Sequence, residues 1–328
     1  MPPSLLHPPS HLSPEAARQQ ATLAPSILNN YPESISSTPI LSLFSAPETA
    51  ELWITYENLL LACLRTGDDL SAHKCLERLI KRFGDKNERM MAFKGLVKEA
   101  TAKNNTELEA ILKEYDSILA EEENNIPIAK RRIALLRALD RTPDAVSGLL
   151  ALVDMSPTDA EAWAELADVY LAQGLYSQAI YALEEVLVLQ PNAWNIHARS
   201  GEVLYMAATA TQSNDAAAAK QLAEATKRFC RSVELCDDYL RGYYGLKLVT
   251  SRLLNEKPNA QTRKGDDADD LALPDGASLQ KLDELATRKL AEIVRRWSAG
   301  EHNWRGYDES EIVAARELLN QDSSSAPK

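Results

Sequence analysis

From residue 46 to residue 254 apolar positions recur at spacings of three and four, with polar residues between them and no alternating stretch. That period predicts amphipathic helices and no sheet. Short turn-forming segments divide the helices into pairs. Residues 1–45 break the pattern with proline at positions 2, 3, 8, 9, 14, 25, 32 and 39, each of which would interrupt a long helix. This arm is expected to be largely extended, apart from one short helix at Pro14–Ala21 with Ser13 as its cap and Pro14 in its first turn. After the paired region, residues 255–275 form a polar, acidic hinge containing "GDDADD". Residues 276–320 read as two further helices broken at Gly300, the first of which, carrying Leu279, Leu282, Leu285, Leu290, Ile293 and Val294, is expected to dock as a cap. Residues 321–328 read as a disordered tail.

The pairs repeat. In "AEAWAELADVYLAQGLYSQAIYALEEVLVLQPNAW", counted as a 34-residue unit from Ala160, Trp163 is fourth, Leu166 seventh, Ala167 eighth and Tyr170 eleventh. Ala179, Leu183, Val186 and Pro191 follow at the twentieth, twenty-fourth, twenty-seventh and thirty-second places. One period earlier, Ala145, Leu149, Leu152 and Pro157 occupy the closing positions. This spacing resembles the tetratricopeptide repeat. The resemblance implies an all-α solenoid, a right-handed superhelix of about five to six helix pairs, with the first helix of each pair lining a concave face. In such a unit Ala167 and Ala179 are the small contacts where two helices cross closely, while Trp163, Leu166, Tyr170 and Leu183 fill the volume around them. Gly174 permits the tight turn, Pro191 ends the second helix, and Thr158 with Glu161 reads as a capping box at the start of the first. The Trp and Tyr residues of this stretch are therefore expected to be scaffold.

Composition narrows the function. The net charge of −12 argues against a nucleic-acid partner, whose phosphates call for clustered Lys and Arg. Cys63, Cys75, Cys230 and Cys236 form no C-x-x-C pair and stand at no zinc-ligand spacing from a histidine, so they read as free thiols in a reducing compartment. The N-terminal residues do not read as a signal peptide, and no apolar run approaches the ~20 residues of a membrane span. The sequence has no G-x-S-x-G, H-E-x-x-H, P-loop or G-x-G-x-x-G. No enzymatic activity, cofactor or metal is expected.

On the face left over after packing, the register places Lys130, Arg137, Asp168, Arg199, Glu202 and Tyr205 as candidate partner-binding residues. A second candidate contact is the basic-aromatic cluster of Arg295, Arg296, Trp297 and Trp304, with Arg305 and Tyr307 beside it. Cations complementing a helix C-terminus, with aromatic rings covering the cap, are the structural alternative for that cluster.

Two readings of the face compete. In co-chaperones that clamp the C-terminal carboxylate of a heat-shock protein, Lys, Asn and Arg residues line successive first helices. Lys130 and Arg199 fit the two ends of such a clamp, but Ala134 and Glu165 stand where amides belong, and a carboxylate at Glu165 would repel the ligand. The whole of residues 50–255 instead resembles the family of subunit 2 of the endoplasmic reticulum membrane protein complex. The segments that carry the resemblance are "LWITYENLLLACLRTGDDLSAHKCLERL", "IAKRRIALLRALDRTPDAVSGLLALV" and "DAEAWAELADVYLAQGLYSQAIYALEEVLVLQPNAW". It implies a non-catalytic scaffold peripheral to the cytoplasmic face of the endoplasmic reticulum, associated with the membrane indirectly. Its implied partners are membrane-embedded subunits and a soluble subunit of a complex that inserts tail-anchored and multipass membrane proteins.

Overall fold

The computed structural model describes residues 4–8, 13–30, 49–210, 216–255, 274–304 and 306–325. Most of the hinge at 255–275 and all of residues 326–328 lie outside the described residues. Every regular element among the described residues is helical, and the chain divides into two compact units, Met1–Met155 and Ser156–Lys328. The boundary falls inside the span that the sequence presents as one array.

The first unit contains α1 (Pro14–Ala21), α2 (Ala24–Asn30) and three helix pairs: α3 (Ala50–Thr66) with α4 (Asp69–Phe83), α5 (Glu88–Thr101) with α6 (Asn105–Glu121), and α7 (Ile126–Ala138) with α8 (Thr142–Met155). Tyr56, Leu59, Leu60 and Leu79 are fully buried at its α3–α4 core. Of the N-terminal arm, residues 1–3, 9–12 and 31–45 lie outside the described residues, and the described part holds more helix than expected. Ser13 accepts from the Ala16 amide at 3.1 Å and starts α1 as the sequence implies, but a second helix, α2, follows. Both pack on the first pair, α1 against α3 and α2 against α4. The backbone carbonyl of Leu5 accepts from Asn58 Nδ2 at 2.7 Å, and that of Leu28 from Arg78 Nη2 at 2.6 Å. Leu5, Ala24 and Leu28 are buried, and this apolar burial offsets the entropy of ordering these segments.

The second unit contains α9 (Ala160–Ala172), α10 (Tyr176–Leu189), α11 (Trp194–Ala210), α12 (Ala216–Leu235), α13 (Leu240–Asn255), α14 (Gly276–Ser298) and α15 (Glu309–Ser325). Consecutive helices pair as α9–α10, α11–α12 and α13–α14, and α15 packs on α14 and α13. Thus α14 is more than the expected cap: it is the second helix of a further pair, and α15 closes the unit. Its last turns also extend into residues 321–325, read from sequence as disordered tail. Lys247 of α13 and Asp283 of α14 hold that pair together, with Nζ to Oδ2 at 2.7 Å and Lys247 only 4% exposed. Asp283 Oδ1 also accepts from Thr250 at 2.8 Å and Ser251 at 3.1 Å.

Local chemistry explains where the repeat helices start and stop. The cap of α9 is Asp159, whose carboxylate accepts from the Ala162 amide at 3.1 Å. This corrects the Thr158–Glu161 capping box: Asp and Thr both cap helices, and the carboxylate one residue later gains from the positive end of the helix dipole as well. Between α9 and α10 Gly174 has φ +72°, and the Leu175 amide donates to the Tyr170 carbonyl at 3.0 Å. Thirty-four residues earlier Asp140 takes the same left-handed conformation, φ 57°, and the Arg141 amide donates to the Leu136 carbonyl at 2.9 Å. The turn is a shared device of the repeat, built on glycine in one unit and on aspartate in the other.

Candidate functional site

Leu166, Ala167, Ala179 and Leu183 are each at most 2% exposed and form the contact between α9 and α10. Trp163 and Tyr170 are only half-buried. Trp163 packs edge-on against Tyr181 at 6.1 Å between ring centroids, and its indole N–H donates to the Pro157 carbonyl at 2.9 Å. Pro191, exposed itself, offers its carbonyl to His197 Nε2 at 2.9 Å.

Of the six residues assigned to the partner face, Lys130 and Arg137 lie on α7 in the first unit. The second unit brings the other four together. Arg199 on α11 reaches back to Asp168 on α9, Nη2 to Oδ1 at 2.9 Å, and along its own helix to Glu202, Nη1 to Oε2 at 3.0 Å. Burial opposes the charge of Arg199, but the hydrogen bonds it donates to Asp168 and Glu202 outweigh it and raise its pKa further. One turn on, the ring of Tyr205 lies 5.7 Å from the Arg252 guanidinium, within cation–π range.

Beside Glu202 and Tyr205 the unit opens into a cavity of about 360 Å³. Its floor is Phe229 of α12, a ring lodged between Gly201 of α11 and Gly245 of α13. A Cβ on Gly245 would stand 2.1 Å from that ring and one on Gly201 2.9 Å, so glycine is required for this approach. Met206, Leu240, Tyr244 and Leu248 form walls, and Ala314 of α15 lines the far side. Arg241 and Glu311 also line it and pair at 2.6 Å; that hydrogen bond raises the Arg241 pKa against the opposing effect of burial.

Sequence reasoning missed this cavity. Arg241, Tyr244, Gly245 and Leu248 fall on one side of α13, offset from the buried Leu240, Tyr243, Leu246 and Val249, and that second stripe was the available signal. The wall from α15 carried no signal, because its docking depends on packing across the hinge.

The C-terminal cluster is engaged within its own unit. Arg296 pairs with Glu292 at 2.8 Å and Glu301 at 3.5 Å and lies 4.7 Å from the Trp304 ring centre. Arg295 approaches Glu301 at 3.9 Å. Trp297 and Trp304 pack against the core, and Tyr307 donates to the Asp238 carbonyl at 2.7 Å. Arg305 lies outside the described residues. All four cysteines are free; burial pushes the Cys63 and Cys75 thiols up to about 12 and Cys230 up to about 11, so they pack as small apolar groups. Among the described residues no three of His, Cys, Asp and Glu gather as metal ligands, and no helix is long and apolar enough to cross a membrane.

Paired helices with recurring left-handed turns, small crossing residues and a side-chain face shared by first helices define a tetratricopeptide-repeat protein. The EMC2 TPR-like repeat domain matches residues 87–217. The TPR repeat protein oca3 of Schizosaccharomyces pombe is 34% identical over 262 residues, covering 76% of this chain and 88% of that protein. ER membrane protein complex subunit 2-A of Xenopus laevis is 28% identical over 242 residues, 74% of this chain and 76% of the other. The Saccharomyces cerevisiae subunit 2 is 26% identical over 220 residues, 66% and 75% respectively. The chain belongs to the tetratricopeptide-repeat family of ER membrane protein complex subunit 2.

Proposed function

We propose that this chain is a non-catalytic scaffold subunit of a membrane-protein insertase complex, peripheral to the cytoplasmic face of the endoplasmic reticulum. It holds cytosolic parts of membrane-embedded subunits and a soluble subunit, and so supports insertion of tail-anchored and multipass membrane proteins. Family membership supports the complex. The observation that carries the scaffold role within it is the face shared by α9 and α11, where Asp168, Arg199 and Glu202 form a preorganised charged strip beside an apolar cavity. Fixed polar groups around an apolar centre are the anatomy of a protein-binding surface.

The same geometry disfavours the co-chaperone reading. A clamp for a C-terminal carboxylate needs cations directed at the ligand, whereas Arg199 is already held by two carboxylates that would compete with it.

Charge reversal tests the face. Arg199→Glu is expected to lower recovery of membrane partners while leaving far-UV circular dichroism unchanged. Undiminished recovery from this variant would remove the face from the assembly.

A further inference from the structure

We propose that the α11–α13–α15 cavity is an anchor site for a partner polypeptide segment that carries one large apolar side chain (Leu, Ile, Met or Phe) next to a Lys or Arg. This rests on the scaffold reading and specifies the chemistry of what the scaffold holds.

The apolar half of the proposal follows from the walls. Phe229, Leu240, Tyr244, Leu248 and Met206 surround the cavity, and Met206 is 42% exposed at its edge. A flexible, polarizable thioether adapts to differently shaped side chains, and binding energy in protein interfaces concentrates where a side chain fills a desolvated pocket. At about 360 Å³ the cavity sits at the low end of the ~300–1,000 Å³ typical of small-molecule clefts. Its lining is mostly apolar and its three charged members, Glu202, Arg241 and Glu311, are each paired with an opposite charge, so it offers apolar burial and little to orient a polar cofactor.

The basic half follows from the rim. Glu202 and Glu311 border the cavity, and Asp168 shares the Arg199 guanidinium with Glu202. Among the residues that line the cavity, two carboxylates, Glu202 and Glu311, stand against one guanidinium, Arg241. The excess negative charge at the edge matches a cation beside the anchor and selects against an acidic neighbour. The chain's net charge of −12 acts in the same direction at long range.

The test uses the full chain in its native membranes. A photo-activatable benzoylphenylalanine replaces Tyr244, the complex is cross-linked before mild detergent extraction and recovered through a tag, and the joined segment is sequenced by mass spectrometry. The expected product is a partner segment with a large apolar residue within two positions of Lys or Arg. Ala314→Trp, which fills the cavity from α15, should reduce cross-link yield at least tenfold with the circular dichroism spectrum unchanged. Met206→Glu, at an exposed position, should reduce it comparably and serves should Ala314→Trp fail to fold. A segment that is acidic or lacks a large apolar residue, a phospholipid adduct, a cross-link to a second copy of this chain, or an undiminished yield in a folded variant would overturn the proposal. Recovery of membrane subunits with no cross-link sinks the anchor site and spares the scaffold; failure to recover any membrane subunit sinks both.

Discussion

His197 Nε2 lies 2.9 Å from the carbonyl oxygen of Pro191, and Trp163 Nε1 lies at the same distance from that of Pro157, one 34-residue period earlier. A carbonyl only accepts, so the His197 proton resides on Nε2. Tyr243 makes the analogous contact on α13, reaching the Asp237 carboxylate, also six residues back, at 3.0 Å. In all three the fourth residue of a first helix ties down the segment that precedes it.

His197 makes this tether sensitive to pH. The side chain is buried, and burial lowers its pKa from the ordinary 6.5, against the opposing bond to Pro191 and with help from Arg228 and Arg231. The unfolded chain thus binds the proton more readily than the folded one. The neutral-histidine contribution is complete above about pH 6.5 and is lost as the pH falls from there through the folded-state value. Urea midpoints measured at pH 7.5, 6.5 and 5.5 should decline, and His197→Gln should flatten the decline. An unchanged slope in the variant would assign the pH dependence to other groups.

The left-handed turn gives a comparison between units. Gly174→Ala should cost about 1 kcal/mol, because an L side chain is strained at φ +72°. Asp140→Gly, at φ 57°, relieves strain in the equivalent turn and should cause no such loss. Equal destabilisation by the two changes would contradict the equivalence.

Ala167 is 2% exposed at the crossing of α9 and α10. Ala167→Trp overfills that contact and should destabilise by about 1–3 kcal/mol or more. A normal melting temperature with full helicity would contradict the register assigned to the repeat.

The Lys247–Asp283 pair secures α14 across the hinge. Asp283→Ala leaves Lys247 buried without this carboxylate, and removing one partner of a buried pair costs about 3–5 kcal/mol. Chemical denaturation of the variant measures it; a loss below about 1 kcal/mol would class the pair with ordinary surface ion pairs.

Much of the repeat was legible because its positions recur. Leu166, Ala167, Ala179 and Leu183 are spaced by the helix period, and each unit restates the last, so local pattern and global packing agree. What depended on docking was not legible. Nothing in α2 predicts that Leu28 buries its side chain and gives its carbonyl to Arg78, 50 residues on. Nor does the pattern of α14 reveal that Asp283 will meet Lys247 across 36 residues. At the candidate site the register found Asp168, Arg199, Glu202 and Tyr205 as neighbours, since first helices align one period apart. It missed Arg241 and Phe229, and Glu311, which reaches the site from α15.

The most direct test of the central claim is recovery of the tagged full chain from gently solubilised membranes, with quantitative mass spectrometry of what accompanies it. A stoichiometric set of integral membrane proteins, recovered together with a soluble subunit, is the predicted result. Heat-shock chaperones alone, recovered from the soluble fraction, would contradict the scaffold and favour the carboxylate clamp.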